Sequence, residues 1–108
     1  MQKTRAALGI LLVALGTPAR SENTFVVGIG LRSCAYWLST SSTVNEGSLW
    51  LWGFWTGLNY ATSSHMVGQS TDAEGIRGAV RKICENAPET NLADAAALAY
   101  AAFRKDGK

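Results

Sequence analysis

Apolar positions recur at helical spacing through the second half of the chain. Ile76, Ala79, Val80 and Ile83 lie three and four residues apart and predict one buried face, ended soon afterwards by Pro88. Thr71 followed by Glu74 fits a capping box at the start of that helix. Leu92, Ala95, Ala96, Ala99 and Phe103 predict a last helix, capped by Asn91 with Asp94 behind it. Its far end carries Arg104, Lys105 and Lys108, where the helix dipole favours positive charge. Upstream, a short helix is expected over 33–38 with Cys34 in its first turn. STSSTVN (39–45) reads as a polar connector, with Thr43 and Glu46 as a second capping box, and a third helix is expected over 46–61. Residues 62–70 form a Ser- and Gly-rich loop holding His65, and 22–32 an extended or irregular lead-in broken by Gly28 and Gly30. With no strand alternation after the lead-in, the expected fold is a small all-α four-helix bundle.

The third of these helices contains SLWLWGFWTGLNY (48–60), which is apolar on every side and so reads as a buried central helix or a membrane element. Its apolar stretch from Leu49 to Leu58 is too short to span a bilayer, which needs about 20 residues. No stable membrane insertion is therefore expected, and the segment is assigned to the core. Gly53, Gly57 and Ala61, four residues apart, predict a smooth stripe for close helix packing. Trp52 and Trp55 can share a helix face while Trp50 points elsewhere. Most of these rings are expected in the core, and Trp52→Ala is then expected to destabilise by about 3 to 5 kcal/mol. Not all fit inside so small a domain, so Trp50, Trp52, Phe54 and Trp55 are also a candidate client or dimer surface, with a carbohydrate platform the remaining alternative.

The amino terminus changes the charge picture. Lys3 and Arg5, an apolar run from Ala6 to Gly16, then Pro18 and small residues have the pattern of a secretory signal, cleaved after Ser21 or after Ala19. One domain over residues 22–108 is then expected, in the periplasm or secreted. Lys3, Arg5 and Arg20 are three of the ten basic residues, so seven remain against eight acidic ones and the net charge moves from +2 to about −1. No nucleic-acid footprint is left. At 47% hydrophobic and 17% charged residues, the chain is a folding rather than a disordered one.

An exported chain meets an oxidising compartment, where Cys34 and Cys84 can pair only with each other within the chain. A loop of about 50 residues closed this way stabilises by roughly 4 kcal/mol. A metal pair or a catalytic thiol is a poorer account, since there is no CxxC and His65 is the one available nitrogen ligand. His65 reads as a solvated loop residue. Asp72 and Glu74 suit a helix start rather than an acid/base pair, and Ser63 and Ser64 beside His65 lack an oxyanion motif. Neither an enzyme, a metal nor a cofactor is expected.

Together, the signal segment, Cys34, the helix WGFWTGLN (Trp52 to Asn59), DAEGI (Asp72 to Ile76), V-x-x-I-C (Val80 to Cys84), a Pro-containing turn and a last amphipathic helix resemble the HdeA/HdeB family of exported acid-stress chaperones. The resemblance covers most of the chain after the signal segment. It implies a disulfide-stapled helical protein, dimeric near neutral pH, that opens in acid and offers apolar surface, here the aromatic helix, to unfolding clients. The Cys34–Cys84 pair would be the family's bridge. Tai-type immunity proteins of type VI secretion look similar in the same features, and imply instead a fixed surface for one protein partner. A structural module of the envelope is the third reading.

Overall fold

A computed structural model describes residues 24–108, and the expected secretory signal over 1–21 lies outside the described residues. After a 3₁₀ turn at Gly28–Leu31 come four α-helices: α1 (Cys34–Trp37), α2 (Ser41–Ala61), α3 (Ala73–Asn86) and α4 (Leu92–Lys105). No strand occurs among the described residues. A single antiparallel bridge joins Ser33 to Asn91. The protein is all-α, and Cys34 is disulfide-bonded to Cys84 across a sequence separation of 50 residues, which ties α1 to α3.

Two helix starts differ from the sequence expectation. α2 begins at Ser41, so most of 39–45 is helix rather than connector. The capping box is Thr40 with Thr43: the Thr43 amide donates to the Thr40 hydroxyl oxygen and the Thr40 amide to that of Thr43, both at 3.1 Å. Glu46 lies inside the helix, exposed to solvent. Ser and Thr have weak helix propensity, and tertiary contacts with α1 overrule it here. The Thr43 hydroxyl donates to the Trp37 carbonyl at 2.9 Å, and the Trp37 indole donates to the Val44 carbonyl at 3.1 Å. At α3 the cap is Asp72, not Thr71, accepting from the Gly75 amide at 2.8 Å, while Glu74 pairs with Arg77. Asn91 caps α4 as expected, accepting from the Asp94 amide at 2.8 Å.

The core lies where the inner faces of the helices meet the disulfide. Trp37, Leu51, Val80, Leu92, Cys34 and Cys84 are its largest apolar side chains fully out of water. Trp37 is wholly buried and packs so closely on Gly47 that a Cβ there would overlap the indole. This ring comes from outside the aromatic segment. Its spacing from Cys34, one helical turn, is the sequence signal that could have placed it inside.

Candidate functional site

Each of the four indole N–H groups of the chain reaches a backbone carbonyl of another segment. Trp37 holds α2 as described. Trp50 donates to Val27 (2.7 Å), Trp52 to Ala73 (2.8 Å) and Trp55 to Val67 (2.9 Å). The aromatic helix thereby grips the lead-in, the start of α3 and the 62–72 loop. A net contribution of about 1 kcal/mol per bond is ordinary, but an indole ring also fixes the angle at which its partner segment docks.

The tryptophans are thus distributed around α2 as the helix wheel suggests. Trp55 lies in the core, edge-on to Tyr100 and Phe103 at 5.1 and 5.4 Å between ring centroids. Trp52 is half-buried beside Arg77, and Trp50 is half-buried over Gly30 and stacked on Phe54 at 5.0 Å. Trp55, 3% exposed, therefore offers almost no surface of its own in the folded chain, and Trp52 has less to lose on truncation than a core ring. The outer face of α2 differs from expectation. A Cβ at Gly53 or Gly57 would meet nothing within 4 Å, and Ala61 is exposed, so none of the described helices packs on the predicted stripe. Leu49 and Tyr60, on the same outer side, are 69% and 85% exposed.

Beside Trp52, the end of α2, the loop and the start of α3 enclose an open cleft of about 350 Å³. Trp55, Val67, Gly68 and Ile76 contribute to its lining, with Trp52, His65, Met66, Gln69 and Asp72 around them. Asn59 sets its shape. The Asn59 side-chain oxygen accepts from the Val67 amide (3.1 Å) and the Tyr100 hydroxyl (2.8 Å), while its nitrogen donates to the Val67 carbonyl (3.1 Å). Neither Asn59 nor Tyr100 stood out in the sequence, because an Asn inside an aromatic run and a Tyr in an alanine-rich helix carry no pattern of their own. His65 is exposed, as expected of a loop residue, yet it is held: φ is +62°, and Nδ1 lies 3.0 Å from the Asn59 carbonyl. That carbonyl only accepts, so Nδ1 carries the hydrogen and Nε2 of the neutral ring is an acceptor.

No family model, curated protein or solved structure matches the chain.

The chemistry must therefore be judged from the site itself. The cleft joins an aromatic wall to a small set of polar groups and a single carboxylate among its described lining, Asp72. Among the described residues no three His, Cys, Asp or Glu side chains are grouped to hold a metal. No described helix is long and apolar enough to cross a membrane. The aromatic helix holds a fixed face, and the cleft adds a concave feature at one end of it.

Proposed function

We propose that the chain is an exported, disulfide-stapled helical protein that acts by contact with another protein, as an immunity-type or other specific binding protein of the bacterial envelope. The observation that carries this reading is the fixing of the aromatic helix by its indole N–H groups on three different partner segments. A surface held in this way is preorganised, so binding orders little that was free before. Leu49, Tyr60 and Met66 supply exposed apolar contact area.

Acid-stress chaperoning, as in the HdeA/HdeB family, is the second reading. Apolar exposure favours it: Phe25 is 87% and Val27 67% accessible in the folded chain. It requires acid to release the aromatic helix, however, and the indole–carbonyl bonds join neutral groups that acid leaves intact. The Arg77–Glu74 and Arg81–Glu85 ion pairs both lie within α3, so protonating these carboxylates separates no two elements.

The test follows scattering from an acid-unfolded client at low pH with and without the protein, alongside the near-UV circular dichroism of its tryptophans. The fixed-surface reading expects continued client aggregation and a retained near-UV signal. Suppressed aggregation together with loss of that signal would reverse the order of the two readings. Calorimetric titration with the product of the neighbouring gene then seeks the dedicated partner.

A further inference from the structure

We propose that the turn after α4 is a releasable clasp on the loop that bounds the cleft beside Trp52, a conformational device that sets one side of the cleft rim from outside the cleft. The turn has the backbone geometry for this. Gly107 is at φ +74°, and the Gly107 amide donates back to the Arg104 carbonyl (3.2 Å) while the Lys108 amide donates to the Phe103 carbonyl (2.8 Å). That pair of bonds is a Schellman motif, which ends the helix and reverses the chain. The reversal carries the main-chain oxygen of Lys108 onto the loop, where it accepts from the Gly68 amide at 3.1 Å and from the Ser70 hydroxyl at 3.4 Å.

The loop is thereby fastened at two adjacent residues, and the fastenings differ in depth. Val67 is held from α2: its amide by Asn59, and its carbonyl by Asn59 and by the core indole of Trp55. Gly68 is held by the turn, whose residues Gly107 and Lys108 are both exposed. Exposed helix ends open at far lower cost than a core, so the second fastening releases first. Gly68 is itself buried, and its amide must move outwards to find water once the Lys108 oxygen leaves. The Gly68 carbonyl accepts from the Thr71 amide at 3.1 Å, one residue before the Asp72 cap of α3, so the displaced stretch is Gly68–Thr71. Met66, Val67 and Gln69 line both the Trp52 cleft and a smaller one of about 150 Å³, which Arg104, Gly107 and Lys108 close on the other side. The clasp therefore holds the wall between two clefts, and its release reshapes the Gln69 side of that wall while Val67 stays anchored.

The test is native-state amide hydrogen exchange, read by NMR on the isotopically labelled, purified protein and three variants. A Cβ at Gly107 would meet nothing within 4 Å, so a substitution there acts through the backbone alone. Gly107→Val keeps every atom of Lys108 but resists positive φ, and a chain ending at Asp106 lacks the clasp altogether. Both are expected to speed exchange of the Gly68 amide about five- to tenfold, as for the loss of one ordinary hydrogen bond, and to shift the Gln69 and Thr71 amide resonances. Val67, the Trp55 indole and the interior amides of α2 and α4 are expected to keep their rates. Gly107→Asn, which tolerates the left-handed region, is expected to retain slow exchange at Gly68. Unchanged exchange at Gly68 in both clasp variants would overturn the proposal. So would equal acceleration of Gly68, Val67 and the helix interiors, since that outcome reports general destabilisation rather than a local release.

Discussion

Replacing glycines of α2 by alanine separates the observed packing from the one its sequence pattern suggests. In a helix interior alanine is favoured over glycine by about 0.8 to 1 kcal/mol. At Gly53 and Gly57 a methyl group meets nothing within 4 Å, so each substitution should yield that whole gain. At Gly47 the added methyl overlaps the indole of Trp37 and comes within 3.1 Å of Leu92 Cδ2. Trp37 is fully buried and bonded to Val44, so its ring has no room to retreat. With the methyl well inside contact distance of the ring, overpacking falls at the upper end of its usual range, about 2 to 3 kcal/mol, and exceeds the propensity gain, for a net loss of about 1 to 2 kcal/mol. Urea unfolding followed by far-UV circular dichroism measures all three, at several protein concentrations. With a slope near 1 kcal/mol/M for so small a chain, Gly53→Ala and Gly57→Ala should each raise the midpoint by about 1 M. Destabilisation at Gly53 or Gly57, growing with protein concentration, would refute the open face and put a second chain on it. A neutral Gly47→Ala would refute the close contact with Trp37.

Trp37→Ala should cost about 3 to 5 kcal/mol, whereas half-buried Trp52→Ala should cost only about 1 to 2 kcal/mol; equal losses in urea unfolding would contradict their placement. Cys34→Ser removes the closure of a 50-residue loop, about 4 kcal/mol, and should lower the unfolding midpoint under oxidising conditions only, so an equal deficit relative to wild type in reductant would count against the staple. Asn59→Leu leaves the Val67 amide and the Tyr100 hydroxyl without this acceptor, and a loss of about 1 to 3 kcal/mol is expected, with faster hydrogen exchange at Val67. An unchanged exchange rate there would show that Asn59 does not pin the loop.

Fold class and the two C-terminal helices were legible because their information is local. A 3-and-4 apolar rhythm and an Asn at the N-cap act within one helix, and they placed Val80, Leu92, Ala95, Ala96 and Ala99 on inner faces. The disulfide was legible by number, since two cysteines have one intramolecular pairing. The start of α2 was not. Its Ser- and Thr-rich opening is held by hydrogen bonds to Trp37 that span six and seven residues and depend on α1 packing back across it.

The aromatic segment marks the boundary most clearly. Its composition alone determined that a helix rich in indole rings would organise the domain, and its length alone ruled against a membrane span. Which ring is core, which grips the lead-in and which lines a cleft was decided by the carbonyls that other segments bring within reach, at separations of 12 to 23 residues for Trp50, Trp52 and Trp55. The glycine stripe shows the converse. Spacing describes which residues share a face, but only the tertiary arrangement determines whether another helix lies there, because burial belongs to a pair of surfaces and a sequence pattern specifies one of them.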